Sequence, residues 1–173
     1  HETGARVIGL DLSAAMLDRA REKFPGVDFR RADLGRRLEF ADRTFAGVSS
    51  CNVLTYVEGP GLAMREFFRV LEPGGRLVLA VPRKGGSIRS VFSAHLRSAP
   101  PQAILKTLFP LLLVGLYNLY VLLAQKAGRY HFFGSEELKD LLRKTGFKDV
   151  SIDSAYAGYS LLAVATKPWS FAH

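Results

Sequence analysis

Short apolar runs that end on a polar residue alternate with helix-spaced stretches along the first half of the chain, and that alternation leaves few folds open. "ARVIGLDL" (Ala5 to Leu12) is a β-branched run closed by an acid, the pattern of a buried parallel strand. Ser13 then offers an N-cap, and Leu12, Met16, Ala20 and Phe24 recur every four residues as a core-facing stripe until Pro25-Gly26 stops the helix. "VDFRRADL" repeats the strand pattern with Asp33 near its end, and "FAGVSSCNVL" (Phe45 to Leu54) repeats it again. A helix over 61–71 is broken by "EPGG" before the strand "RLVLAVP". Strand and helix in alternation imply an α/β fold with a mostly parallel sheet.

The rhythm then fails. From Arg83 to Gly134 no strand pattern appears, so 83–134 is expected to be a helical insertion. Ser135 follows as an N-cap, "EELKDLLRKT" as a helix, Gly146 as its C-terminal stop, and "FKDVSIDSAY" with "YSLLAVATK" as an antiparallel hairpin turning near Gly158. Within the insertion, Thr107 to Ala124 carries no formal charge; as a helix it would extend about 27 Å against a hydrocarbon core of about 30 Å. A single span is excluded if the flanking strands share one sheet, because the chain must leave and return on the same side. Pro110 shortens the uninterrupted helix to Leu111–Ala124, about 21 Å, a length suited to a lid over an apolar acceptor or to plain core packing.

Charge sharpens that reading. Between Glu72 and Glu136 there is no acid, yet Arg76, Arg83, Lys84, Arg89, Arg97, Lys106, Lys126 and Arg129 are there, equal in number to the whole net charge of +8. Basic residues around an apolar run suit an anionic membrane surface better than nucleic acid, where exposed aromatic and polar groups would be interleaved; ordinary solvated charge is the plain alternative. Cys51 is the single cysteine, so no intramolecular disulfide or cysteine-rich zinc site is expected, no metal is called for, and a reducing cytoplasmic setting is the default, with peripheral membrane contact. The opening "HETGARVIG" lacks the basic start and apolar core of a signal peptide and reads like the middle of a longer protein.

Ligands of open α/β sheets bind beyond the carboxyl ends of the strands, and Asp11, Asp33 and Asn52 fall there. A strand-end carboxylate can hold both hydroxyls of a ribose, and it can equally cap the next helix. Taken in order, "GLDLSAAMLDRA", "FRRADLGRRLEFADRTFAGVSSCNVLTYVE" and "FFRVLEPGGRLVLAVP" resemble successive motifs of the class I S-adenosylmethionine-dependent methyltransferases, in the broad group that includes the ubiquinone and menaquinone biosynthesis C-methyltransferases. "YHFFGSEELKDLLRKTGFKDVSI" resembles that family's last helix and final strand pair.

The resemblance implies a Rossmann-like methyltransferase fold in one domain, 1–173, with S-adenosylmethionine as cofactor. It implies that Asp11 binds the ribose hydroxyls, that Leu12 and Met16 pack near the adenine, and that Asp33 accepts the adenine amino group with Leu34 beside it. Asn52 and Val53 would border the transferable methyl group, and Tyr56 would face the acceptor, a small or lipid-like apolar molecule. Met16 and Tyr56 also have bland readings, as a core methionine and a half-buried tyrosine. An oxygen or activated-carbon nucleophile can need a base, for which Tyr56, His95, Tyr130 and His131 are candidates, none with a motif behind it.

Two departures stand out. The family's glycine-rich turn and the first strand before it are not in the sequence, which implies an N-terminally truncated domain with a hole between the strands at 5–10 and 46–51 and unpaired backbone on both sides. Ala46 stands where the family usually has an acid, and Asp42 is no evident replacement. Two rival readings remain at this point: a nicotinamide-dependent oxidoreductase, and a cofactor-less remnant that binds a membrane or partner through the insertion.

Overall fold

The computed structural model describes residues 4–85, 123, 130–156 and 158–169. Strand β1 (Ile8–Asp11) leads into helix α1 (Ala14–Lys23), and β2 (Asp28–Arg31) returns to pair parallel with β1, Ile8 opposite Asp28 and Asp11 opposite Arg31. Ser13 caps α1 as its sequence position suggests, its hydroxyl accepting the Met16 N–H at 3.4 Å. The expected core stripe is wrong, however: Leu12, Met16 and Phe24 are 56%, 53% and 47% exposed, and Leu17 is the buried residue of the helix. Spacing alone gives a face but not its phase, and packing on β1 and β2 turned the helix so that Leu17 faces inward.

The larger sheet begins with β3 (Phe45–Cys51), followed by a 3-10 turn (Leu54–Tyr56) and helix α2 (Pro60–Val70). Strand β4 (Leu71–Pro82) starts directly at the helix end, and Glu72 to Gly75 are absorbed as an irregularity: Phe45 pairs with Leu71, but Gly47 already pairs with Arg76. Gly74 supplies the left-handed backbone there, at φ +79°. Helix α3 (Ser135–Thr145) precedes β5 (Lys148–Ala155) and β6 (Ser160–Thr166), which form the expected antiparallel hairpin. The sheet order is β3-β4-β6-β5, with β3 and β4 parallel and β6 antiparallel to both β4 and β5.

Ser135 is not the N-cap of α3 but its first helical residue; Gly134 occupies the cap, and its N–H donates to the Glu137 carboxylate at 3.3 Å. Gly146 ends the helix with φ +110°, as expected of the residue that must turn left-handed. One apolar core lies under this sheet, with Leu54, Met64, Leu71, Leu77, Leu79, Leu138, Leu142 and Phe147 almost fully buried. The side chains alternate along β4 and β6, so the face packed against α2 and α3 is read directly from every second residue.

The two sheets are separate: β1 and β3 share no strand pairing, and each is an edge strand among the described residues. The break falls between the two strands where the family resemblance placed a hole. The run from Thr107 to Ala124 and the lid expected over 83–134 lie outside the described residues, apart from 83–85, Leu123 and 130–134. No helix among the described residues is long and apolar enough to cross a membrane.

Candidate functional site

The carboxyl ends of the parallel strands gather the polar residues singled out in the sequence. Asp11 closes β1, and its backbone carbonyl accepts the Ala32 N–H at 3.0 Å, which sets Asp33 beside it at the end of β2. Arg31 Nε donates to the Leu12 carbonyl at 3.0 Å and ties the same two chain segments together. In each aspartate one oxygen makes a local turn: Asp11 Oδ1 accepts the Ser13 N–H and Asp33 Oδ1 accepts the Gly35 N–H, both at 2.8 Å. The helix-cap and ligand readings of Asp11 are thus compatible, because the turn uses one oxygen and no hydrogen bond occupies Oδ2 among the described residues. Asp33 Oδ2 lies 3.4 Å from Arg36 Nε, an exposed contact that a ligand can displace at little cost.

Apolar side chains that follow the strand ends are also exposed. Leu12 is 56% exposed, Met16 53% and Val53 41%, so the bland reading of Met16 as a core residue is overturned. Leu34, by contrast, is partly buried and packs against the main core. Asn52 follows β3 with a left-handed backbone, φ 56°, and its N–H donates to the Ala80 carbonyl at 2.7 Å. That conformation is uncommon outside glycine, though asparagine tolerates it better than most, and it turns the chain sharply out of the strand.

The turn after Asn52 carries Tyr56, 63% exposed, whose ring meets Tyr130 edge to face with centroids 5.3 Å apart. The segment 130–133 reaches this edge by pairing with the end of β4: Phe133 bridges Arg83, and the Lys84 N–H donates to the Phe133 carbonyl at 2.9 Å. His131 is therefore brought next to the turn, its N–H donating to the Thr55 carbonyl at 2.8 Å. His95 lies outside the described residues. Of the four candidates for a base, three come together at one edge.

A second arrangement, which spacing did not reveal, anchors the loop that carries Asp33. Glu66 and Arg69 on α2 reach across to it: the Leu38 N–H donates to Glu66 Oε2 at 2.8 Å, and Arg69 donates to the Leu38 and Phe40 carbonyls and to Asp42. The Arg69 guanidinium, first among the causes, holds the Glu66 carboxyl below its ordinary range, and it does the same for Asp42. Asp42 thus has a job, as an anchor for Arg69 rather than as a stand-in for the acid missing at Ala46. Only its i to i+3 spacing to Arg69 marked Glu66 in the sequence, a signal too common to single out.

Among the described residues no group of His, Cys, Asp or Glu is arranged to hold a metal. The clefts of about 490 Å³ along Arg143 to Val150 and about 390 Å³ around Asp42, Phe68 and Lys167 open at the opposite edge of the larger sheet, where β5 begins and β6 ends. Paired carboxylates with spare acceptor capacity, bordered by open apolar side chains, suit a nucleoside: the acids take hydroxyl and amino donors, and the apolar groups take the faces of a base.

A methyltransferase-domain family model matches residues 1–79. The demethylmenaquinone methyltransferase of Streptomyces griseus is 31% identical over 169 residues, covering 96% of this chain and 69% of that protein. The corresponding enzyme of Chlorobaculum parvum is 28% identical, covering 95% and 65%, and the ubiquinone/menaquinone biosynthesis C-methyltransferase of Desulfotalea psychrophila is 31% identical, covering 84% and 57%. The chain therefore spans roughly two thirds or less of the length of these relatives. The fold is similar to that of the CurJ carbon methyltransferase, with TM-score 0.67, 17% identity, and coverage of 97% of this chain and 43% of that one. It is also similar to a S-adenosylmethionine-dependent methyltransferase from Thermotoga maritima, with TM-score 0.60, 20% identity, and coverage of 92% and 72%. With 31% identity to a curated methyltransferase across nearly the whole chain and a methyltransferase-domain model matching its first half, the chain belongs to the class I S-adenosylmethionine-dependent methyltransferases.

Proposed function

We propose that the chain transfers a methyl group from S-adenosylmethionine to a quinone-type acceptor, a planar ring carrying a lipid-like tail. The observation that carries this reading is the carboxyl edge itself: Asp11 and Asp33 follow one another at the ends of the paired strands β1 and β2, and Leu12, Met16 and Val53, at the ends of β1 and β3, are exposed. Asp11 would hold the ribose hydroxyls, Leu12 and Met16 the adenine, and Asp33 the adenine amino group, while Asn52 and Val53 border the reacting methyl. When bound, the cofactor supplies an electrophilic methyl on a sulfonium centre. The chain's own residues orient the acceptor for in-line attack, and alignment of that kind is worth up to about 7 to 11 kcal/mol of the barrier.

The acceptor class is supported by the names of the relatives and by the basic, apolar interval between Glu72 and Glu136, which suits a lipid-like substrate met at an anionic membrane surface. Nothing in the comparisons favours the nicotinamide-dependent oxidoreductase or the cofactor-less remnant. The test is direct: the chain is incubated with radiolabelled S-adenosylmethionine and demethylmenaquinol in detergent. Label extracted with the quinol supports the reading, and saturable cofactor binding without transfer to any quinol overturns the acceptor class while leaving the family intact.

A further inference from the structure

The cleft of about 390 Å³ at the edge of the larger sheet opposite the strand carboxyl ends is lined by two cations that no acid answers, Lys167 and Arg43. Lys167 follows β6 and is fastened to β4: the Gly74 N–H donates to its carbonyl at 2.8 Å, and its own N–H donates to the Gly75 carbonyl at 2.9 Å. Its side chain is largely buried, and Nζ donates to the Phe68 and Leu71 carbonyls at the end of α2, both at 2.7 Å. Those bonds use two of three donors and meet only partial charges, so a full positive charge sits in the cleft wall with no ion-pair partner. Arg43 has a left-handed backbone, φ 57°, uncommon for a residue with a long side chain, and its N–H holds the turn by donating to the Arg69 carbonyl at 3.0 Å. The Arg43 guanidinium has no hydrogen-bond or ion-pair partner. Asp42 also lines the cleft, but its carboxylate is taken by Arg69 at 2.8 Å. All five Arg69 donors are spent on Glu66, Asp42 and the carbonyls of Leu38 and Phe40. Burial, and after it the charge of Arg43, push the Lys167 amine below its ordinary range, with Asp42 opposing. Trp169, the chain's single tryptophan, is exposed and lies directly against Gly74, which places it at the rim.

We propose that this cleft binds a phosphate-type oxyanion, with the Arg43 guanidinium donating to its oxygens and the Lys167 charge attracting it from the cleft wall. A guanidinium presents two parallel N–H donors to two oxygens of one oxyanion, which a lysine on open surface does not. The Lys167 charge acts from a position shielded from solvent, where attraction is screened less than between exposed groups. One anion answers both charges and relieves the repulsion between them. The strained turn at Arg43 is then the means by which an arginine is presented to the cleft. Because β6 runs antiparallel to β4, the site lies at the amino end of β4, whereas Asn52 meets Ala80 near its carboxyl end. It is separate from the methyl-transfer edge and does not depend on that reading. The same oxygens are offered by a soluble phosphate and by a lipid headgroup.

The experiment titrates the full chain with inorganic phosphate against chloride at constant ionic strength, read by calorimetry and by the emission of Trp169. Saturable phosphate binding is expected, and Arg43→Gly should weaken it about tenfold, the size of one charge-assisted contact. The thermal midpoint of that variant should stay level or rise, because glycine accepts the left-handed backbone without strain. Arg143→Gln, which removes one positive charge at the other cleft, should keep the wild-type affinity. Sedimentation with phosphatidic acid vesicles separates the sources: a loss in Arg43→Gly assigns the site to a lipid headgroup, and no loss beside weakened phosphate binding assigns it to a soluble phosphate. No saturable binding of either probe overturns the site. So does binding that Arg43→Gly leaves unchanged, or an equal loss in Arg143→Gln, which would make the effect one of net charge.

Discussion

Arg69 grips Glu66 through two parallel hydrogen bonds, Nε to Oε1 at 2.9 Å and Nη2 to Oε2 at 2.7 Å, with the arginine side chain 17% exposed and the glutamate 9%. From that fork the pair also takes the Leu38 N–H and the carbonyls of Leu38 and Phe40, so it is the polar fastening between α2 and the loop that follows Asp33. Since β1 and β2 share no strand pairing with the larger sheet, this fastening carries much of the register between the two halves of the carboxyl edge.

Glu66→Ala is expected to destabilise the fold by about 1–3 kcal/mol, because it leaves the Leu38 amide N–H without its acceptor and takes two charge-assisted hydrogen bonds from the partly buried Arg69. Denaturant unfolding followed by circular dichroism measures it. The pH dependence has a definite sign. The folded-state carboxyl of Glu66 is depressed by Arg69, so its contribution is complete above the ordinary glutamate range near 4.5 and is lost as pH falls below that value toward the depressed one. Acid unfolding of Glu66→Gln should therefore be less steep in that window than that of the wild type. Equal steepness would show that other carboxylates dominate.

Asp11→Asn keeps an oxygen for the Ser13 N–H and removes the charge, which separates the cap from the proposed ribose contact. S-adenosylmethionine affinity is expected to fall about tenfold or more while stability moves by less than about 0.5 kcal/mol, on the difference between a charge-assisted bond and a neutral one. Calorimetric titration beside thermal unfolding reads both. Unchanged affinity would leave Asp11 as a helix cap alone.

Gly146→Ala should cost about 1–2 kcal/mol. Its backbone sits at φ +110°, where a Cβ is strained, and the added carbon would lie 3.1 Å from the Phe68 ring, which itself meets Phe147 edge to face. A thermal-unfolding midpoint unchanged within error would contradict the strain argument.

Binding to anionic vesicles should weaken steeply with added salt, since each basic residue near such a surface contributes about 1 kcal/mol. Deleting residues 100–128 should abolish partitioning that survives high salt, because the apolar run goes with them. Vesicle sedimentation at two ionic strengths distinguishes the electrostatic from the apolar share, and full partitioning of the deleted chain would refute a role for the run.

Much of the fold was legible because local chemistry and topology agreed. Gly146 marks a helix end wherever the chain needs a left-handed residue, and the polar residues closing "ARVIGLDL" and "VDFRRADL" sit at strand ends in any parallel sheet. The motifs of residues 5–82, read in order, were enough for the family. Where a decision depended on rotation or distance, sequence spacing was silent. Met16 and Leu17 are adjacent and both apolar, and only packing on β1 and β2 decided that Leu17 goes inward and Met16 stays open. Leu34 is partly buried and packs against the main core. Glu66 found Leu38, 28 positions away, and His131 found Thr55 across a still longer interval. The sequence by itself determined the order of strands and helices and the residues at their carboxyl ends, since these follow from periodicity and turn chemistry. The tertiary structure alone decided which of those residues share an edge, because contacts between distant segments are fixed by burial and hydrogen-bond satisfaction across the whole fold, which no local pattern encodes.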